Sequence, residues 1–346
     1  YKFWKELIIK TSKKYNCTYL SCNLLGNESG KVIYDGHVIA AHNGKLIGEN
    51  KRFSFIDYNL YIIDKKNYKK LDYENHYEEF FDATSLALFD YKRKSNCEGF
   101  VLSISGGLDS SIIAIMVSEM IKRAIKNIGL DLFINRFKLK LNKIEYKKII
   151  KLKKKQLYKE LTKKILITAY QKSKNSTSKT LEAAKSISNF IGSKFYLWNI
   201  DNEVKSVTEK IEKVLKQKIT WKKNNLTKQN IQSRMRSPMI WMLANMYNSL
   251  LLSTSNRSES AVGYATMDGD TSGSIAPIAG INKIFIINTI KYAYQKLEYN
   301  CLKKVLELKP SAELLPKKMN QNDENELMPY TLMSKIERLA IKKSNS

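Results

Sequence analysis

Cysteine is scarce in this chain: Cys17, Cys22, Cys97 and Cys301 are the only four among 346 residues. Their spacing excludes a zinc-binding pattern, because Cys17 and Cys22 have no second pair near them. Scattered through a long chain, they fit reduced thiols in a cytoplasmic protein rather than a disulfide framework. No apolar run reaches the roughly 18 residues that mark a membrane-spanning helix. The opening Tyr1-Lys2-Phe3-Trp4-Lys5 lacks the apolar core of a signal peptide. Neither the Walker loop, Gly-x-x-x-x-Gly-Lys-Ser/Thr, nor the dinucleotide pattern Gly-x-Gly-x-x-Gly occurs, and there is no internal repeat. The first residue is Tyr1 and not Met, so a piece of a longer protein is one expectation.

Acidic residues are also in short supply, with 33 Asp+Glu against 60 Lys+Arg and a formal net charge of +27. Such an excess attracts anions, nucleic acid and acidic lipid among them. It sits largely in Lys-rich stretches mixed with Asn, Ile and Tyr, as a codon-biased proteome produces. Arg, the better bidentate phosphate binder, is scarce in those stretches. Nucleic acid is therefore not the expected partner, and no membrane partner is expected. The 43% hydrophobic content is enough for one large domain or two.

What is present falls into two patterns. Residues 17–65 read as β structure: Cys17–Cys22, then turn residues at 26–30, then Lys31–Asp35 and His37–Ala41. Asn43-Gly44 is a two-residue hairpin signal, and Lys45–Gly48 and Tyr58–Ile63 follow as strands. Lys65 to Glu79 is polar and reads as a linker. Tyr77 to Lys92 has helical periodicity, with Phe80, Phe81, Ser85, Leu88 and Phe89 near one face. From residue 97 strands alternate with helices. Strands are expected at Gly99–Ile104, Ile165–Tyr170, Lys194–Ile200 and Leu250–Thr254. Helices are expected at Ser111–Ile125, at Thr177–Ile191 with Gly192 as its stop, and at Gln229–Asn248. Residues 138–164, dominated by Lys and Leu/Ile, read as an insertion that is partly helical or mobile, or else as a basic arm. The alternation predicts an α/β fold, a doubly wound parallel sheet with helices on both faces.

Four runs carry chemistry. Ser105-Gly106-Gly107-Leu108-Asp109-Ser110-Ser111 follows a buried strand and opens a helix. Small residues let the backbone approach an anion, the hydroxyls add donors, and the helix N-terminus favours negative charge. Asp109 alone would repel phosphate, so a bridging Mg²⁺ is the sensible companion; the plainer alternative is a Gly-Gly turn with Asp109 as a helix cap. The second run, Ser253 to Asp270, also follows a buried strand. In an open parallel sheet both loops then share the C-terminal edge, and Glu259 can join Asp109 on one cation. Glu259 can equally be a first-turn helix acid, and Asp268 and Asp270 turn residues. The third run is Asn230-Ile-Gln232-Ser-Arg234-Met-Arg236, whose two arginines, two apart, face different sides of a helix. The fourth is Lys283, after Pro277-Ile-Ala-Gly280-Ile-Asn, where a lysine can neutralise phosphate, although in a chain this rich in lysine it means little alone.

Together these runs resemble the NAD synthetase family, within the N-type ATP pyrophosphatases. The likeness rests on Ser-Gly-Gly-Leu-Asp-Ser at 105–110, Asn-Ile-Gln-Ser-Arg-Met-Arg at 230–236, the block 254–278 and Lys283. Two tail pieces, Lys309–Leu314 and Gln321–Tyr330, are similar too. The first run is shared across the superfamily, whereas 254–278 is specific to this family. Met267 stands where ammonia-dependent relatives carry Lys, so the glutamine-dependent branch is the nearer one. Residues Tyr34-Asp35-Gly36, Asn43-Gly44 and Arg52–Phe55 resemble, more weakly, the last strands of a nitrilase-like glutamine amidase. Such a domain uses a Glu-Lys-Cys triad that this chain does not contain, so the expectation is a larger native protein. The implied division is 1–66 for the C-terminal portion of the amidase and 67–96 for a linker and helix. The synthetase domain then takes 97–346, with the insertion at about 138–164.

The resemblance implies ATP-dependent amidation of deamido-NAD, with ATP, deamido-NAD and ammonia or glutamine as small-molecule substrates, Mg²⁺ as cofactor, a homo-oligomer and a cytoplasmic location. It assigns Asp109 and Lys283 to catalysis. Ser103, Ser105, Gly106, Gly107, Leu108, Asp109, Ser110, Ser111, Thr254, Lys283 and Ser311 would serve ATP. Asn230, Arg234, Glu259, Tyr264 and Asp270 would serve deamido-NAD, and Asp109 and Glu259 the metal. A tRNA-modifying adenylase of the same superfamily is the nearest alternative. A nucleic-acid-binding or scaffold protein with a dead loop is the other, and the presence of both carboxylates speaks against it.

Overall fold

A computed structural model describes residues 1–28, 32–63, 75–308, 311, 313–316 and 323–342. The chain forms two compact units, one of Tyr1–Asn96 with Glu119–Lys140, the other of Cys97–Ser118 with Leu141–Ser346.

In the first unit a helix, Lys2–Lys14, precedes five antiparallel strands: β1 (Thr18–Cys22), β2 (Leu25–Glu28), β3 (Val32–Asp35), β4 (Val38–His42) and β5 (Lys45–Glu49). They pair as a β1-β4-β5 sheet and a β2-β3 ribbon. The β4–β5 hairpin closes on Asn43 and Gly44, at φ 47° and 79°. Two successive positive φ angles suit this pair, because Asn tolerates and Gly readily adopts the left-handed region. The opening helix, which strand-oriented reading of the chain overlooks, buries Ile8 against Ile39 and Ala41. Tyr58–Ile63, expected as a strand, has no strand partner among the described residues. Tyr58, Leu60 and Ile62 are exposed, while Tyr61 and Ile63 lie over Gly48. Alternation alone does not supply the ladder partner a strand requires. The helix His76–Ser95 is capped by the Asn75 side chain and buries Phe81 and Phe89. Phe89 meets Phe55, Phe133 and Phe137 at ring-centroid distances of 5.2, 6.1 and 5.5 Å. Turn residues 29 and 30, Lys31 of the expected strand, and most of the linker lie outside the described residues.

The second unit is built on β6 (Phe100–Ser103), β7 (Leu166–Lys172), β8 (Lys194–Asn199) and β9 (Leu250–Leu252). All pairs are parallel, in the order β8-β7-β6-β9. The fold is α/β, with helices flanking this sheet, as the alternation predicts. The chain leaves β6 towards β7 and β8, then returns to lay β9 on the other side of β6. That reversal opens a crevice at the C-terminal ends of β6 and β9, where a ligand has room. The helix after β6, Leu108–Ile128, is fully buried from Ile112 to Val117. It belongs to the second unit up to Ser118 and to the first from Glu119. The helix Ser178–Ile191 starts on the Thr177 side chain and stops at Gly192, whose φ of 83° is left-handed.

One long helix was expected over Gln229–Asn248, and two are found, Asn225–Arg234 and Ser237–Met246. Pro238 explains the break. It has no N–H to reach the carbonyl four residues back and its ring crowds that carbonyl, so it belongs at a helix start. The Lys-rich run folds into Lys143–Ile149, with an Asn142/Glu145 capping box, and Lys154–Ile165. Lys164 and Glu145 tie the two at 2.5 Å. All four cysteines are free thiols. Among the described residues no helix is long and apolar enough to cross a membrane.

Candidate active site

The loop after β6 is shaped by backbone geometry before any ligand is considered. Gly106 has φ of +80°, and a Cβ there would lie 2.1 Å from the Thr180 carbonyl oxygen. Only glycine meets both demands. Ser105 Oγ and Ser110 Oγ are 3.1 Å apart, and the Gly107 N–H donates to Ser105 Oγ at 3.2 Å. These bonds hold the turn at the N-terminus of Leu108–Ile128, where orphan N–H groups and the helix dipole favour an anion. Ser111 faces inward instead: it is fully buried and donates to the Gly107 carbonyl at 2.5 Å. Its hydroxyl builds the turn and does not line the cleft.

At the head of this helix three charges meet. Lys283 begins the helix Lys283–Lys296, whose first turn is capped by Asn282, and it is only 3% exposed. Its Nζ lies 2.5 Å from Asp109 Oδ2 and 2.7 Å from Glu259 Oε1. Asn256 joins the parts. Its Oδ1 caps the helix Arg257–Ala261 by accepting from the Glu259 N–H at 3.0 Å, and its Nδ2 donates to Asp109 Oδ1 at 3.2 Å. Tyr330, nearly fully buried, places its ring 5.6 Å from Lys283 Nζ, and its hydroxyl reaches Glu259 Oε1 and Asp323 Oδ2 at 3.4 Å each.

Burial pushes the Asp109 carboxyl up to about 6. The Glu259 and Asp323 charges add to this, and Lys283 opposes it. Burial alone would lower Lys283, but the charges of Asp109 and Glu259 outweigh it, so the ammonium is held well above its ordinary range. The Lys283 ammonium therefore lies between the Asp109 and Glu259 side chains. Because both carboxylates converge on a single cationic nitrogen, they can also converge on a divalent cation. Among the described residues no group of three or more His, Cys, Asp or Glu is arranged to hold a metal. Asp109 and Glu259 are the two carboxylates that could share an ion taking its other oxygens from phosphates and water.

A cleft of ≈ 710 Å³ opens over this centre. Ser103, Ser105, Gly107, Leu108, Asp109 and Ser110 line one side, Thr254, Glu259, Tyr264, Asp270 and Lys283 another, with Asn230 and Ser311 at its walls. Asp270 accepts from the Thr266 N–H at 2.8 Å, and burial raises its carboxyl above the usual range. Asn230 Oδ1 accepts from Thr266 Oγ1 at 3.2 Å. The Tyr264 hydroxyl donates to Glu326 Oε2 at 2.7 Å. Ser311 Oγ accepts from the Glu313 N–H at 3.2 Å. Of the expected residues, Gly106, Ser111 and Arg234 do not line the cleft. Arg234 is exposed, its Nε on the Met267 carbonyl at 3.1 Å. Arg236 takes the lining position, and burial lowers its guanidinium below the ordinary range. The helix expected to carry both ends at Arg234, and Arg236 sits in the break before Ser237–Met246, so the chain turn there, and not helical spacing, brings it to the cleft.

Sequence reasoning assigned no role to Tyr330, Asp323, Asn256 or Gln171. Asn256 had a legible signal, since an Asn three residues before Glu259 reads as a cap. Tyr330 and Asp323 lie in the family-like tail piece Gln321–Tyr330, but the approach of Tyr330 to Lys283 is purely tertiary.

The sequence model of the NAD synthase family matches residues 81–346. The chain is 27% identical to a glutamine-dependent NAD(+) synthetase of Aquifex aeolicus, over 99% of this chain and 58% of that protein. Among solved structures it is similar to a glutamine-dependent NAD(+) synthetase from Cytophaga hutchinsonii. There the TM-score is 0.86 and the identity 42%, over all of this chain and 55% of that one. A glutamine-dependent NAD+ synthetase from Acinetobacter baumannii, solved with ADP, shares the fold at 18% identity and TM-score 0.69, over 99% of this chain and 55% of its own. The chain spans a little over half the length of these relatives.

Proposed function

The chain belongs to the NAD synthase family, and from that premise we propose that it carries out the ATP-dependent amidation of deamido-NAD to NAD. The observation that carries the reading is the buried Asp109–Lys283–Glu259 centre at the N-terminus of the helix Leu108–Ile128. A nicotinate carboxylate is a poor electrophile and needs activation. Its oxygen attacks the α-phosphorus of ATP, the bond to the β-phosphate oxygen breaks, and pyrophosphate leaves. Ammonia then attacks the carbonyl carbon of the adenylate, the bond to the AMP oxygen breaks, and the amide loses its surplus proton to solvent.

The residues of this chain have positioning and charge neutralisation to supply. Ser105, Gly107 and Ser110 hold phosphate oxygens at the helix N-terminus, with Gly106 and Ser111 keeping the turn in shape. Lys283, released from its carboxylates as the nucleotide enters, moves its charge to the phosphates. Thr254 and Ser311 serve the nucleotide, and Asn230, Tyr264 and Asp270 the dinucleotide, with Arg236 the better-placed arginine. Glu259 either holds the cation with Asp109 or touches the dinucleotide. A Mg²⁺ on Asp109 and Glu259 would neutralise the phosphate charge that builds up as pyrophosphate departs.

We assign residues 1–66 to the end of a nitrilase-like glutamine amidase and 97–346 to the synthetase domain. Ammonia then comes from glutamine in the longer protein. A homo-oligomer in the cytoplasm follows from the family likeness, and the four free thiols suit that compartment. The tRNA-modifying reading is not favoured, since the family match runs from residue 81 to 346. The test is formation of NAD and AMP from deamido-NAD and Mg²⁺-ATP, with ammonium or glutamine supplied in parallel. No NAD with either donor, from folded protein, overturns the reading.

A further inference from the structure

Gln171 holds an amide that the proposed chemistry leaves unused. It stands next to the last residue of β7, is 5% exposed, and lines the cleft. Its Nε2 donates to Ser103 Oγ at 3.0 Å. Its Oε1 has no hydrogen-bond partner among the described residues. Buried acceptors are almost always satisfied, and one left without a partner on a cleft-lining residue points to a ligand that brings the donor. Ser103 fixes the amide by its other end, so the unpartnered oxygen is held in place.

Position selects the ligand. Ser103 ends β6, two residues before the phosphate loop, and pairs in register with Ala169 of β7. Gln171 thus lies on the β7 side of that loop. Glu259, Tyr264 and Asp270 follow β9, on the opposite side of β6. A nucleotide whose phosphates occupy the loop between them has its base free to extend towards β7. We propose that Gln171 is a specificity-determining residue that accepts a hydrogen bond from the exocyclic amino group of an adenine, that of ATP. The inference rests on the function proposed above. Deamido-NAD carries an adenine too, so the test separates the two sources.

The whole protein that carries this chain is compared with its Gln171→Leu and Gln171→Glu variants. Triphosphates of adenosine, inosine and purine riboside, which has no 6-substituent, are each titrated by equilibrium binding without dinucleotide, then used in NAD formation. Unmodified protein is expected to bind ATP about tenfold more tightly than purine riboside triphosphate, one hydrogen bond's worth. Gln171→Leu erases that preference and raises KM for ATP by about as much, while Gln171→Glu, which keeps an acceptor, retains it. Three results overturn the proposal: no ATP preference in the unmodified protein, a preference for ITP (the amide then donating to a 6-oxo base), or a Leu variant in which only KM for deamido-NAD rises. The first two need no variant, so a Leu variant that fails to fold does not shelter the idea. Protein that shows the ATP preference yet makes no NAD defeats the proposed function and leaves this inference standing.

Discussion

At the scale of single residues, the centre is decided by three charges that share little water. Asp109→Asn removes the charge and keeps the shape. It should leave the thermal melt within a few degrees and lower NAD formation by about 100-fold or more, the usual cost of losing one preorganised electrostatic group. Undiminished turnover in that variant would sink the assignment. Lys283→Met leaves Asp109 and Glu259 facing each other without their ammonium. Urea unfolding without Mg²⁺ should show a loss of about 3 kcal/mol, as when a buried pair is broken from one side. The pH dependence follows from the Asp109 carboxyl, pushed from its ordinary 3.8 up to about 6 by burial. Between those values the folded chain keeps a proton that the unfolded chain has lost, so this group takes stability away as pH rises through the window. Activity runs the other way. The cation needs the carboxylate, so kcat/KM for ATP should fall about tenfold per pH unit below about 6. A flat profile down to pH 5 would remove Asp109 from the nucleotide site.

At the scale of elements, turns and caps hold those residues in place. Gly106→Ala forces a side chain into a left-handed turn and against the Thr180 carbonyl. The strain, of order 1–3 kcal/mol, should appear as a lower melting temperature and at least a tenfold weaker ATP titration. Asn256→Ala removes the cap of the helix that presents Glu259 and a donor to Asp109. About 1 kcal/mol of stability is expected to go with the cap. Turnover should fall further than that loss explains, because both carboxylates lose their positioning. Elements of this kind were largely legible: the Asn43-Gly44 hairpin, the Gly192 helix stop and all four parallel strands lie within a few residues of their expected places. Where legibility failed, the cause was a neighbour in space, as at Tyr58–Ile63, or one residue outweighing a periodic run, as Pro238 does within 229–248.

At the scale of the molecule, a charge of +27 would hold RNA only through non-specific, strongly salt-dependent attraction. Pyrophosphate release from ATP should show no stimulation by RNA at about 0.15 M salt. Stimulation there, without NAD formation, would restore the tRNA-modifying alternative. The sequence by itself determined the α/β alternation and offered a candidate phosphate loop with Asp109, while Glu259 and Lys283 gained weight as candidates through the family resemblance. Small residues between a buried strand and a helix, and rare acids in a basic chain, are local signals that survive in any context. The tertiary structure alone decided that Lys283 lies between the Asp109 and Glu259 side chains, that Arg236 and not Arg234 turns to the cleft, that Ser111 is buried, that Tyr330 reaches Glu259 and that Gln171 lines the cleft. Those depend on which segments, far apart in the chain, share the edge of one sheet. Burial and like-charge proximity, which set protonation states, come into being only when the chain closes.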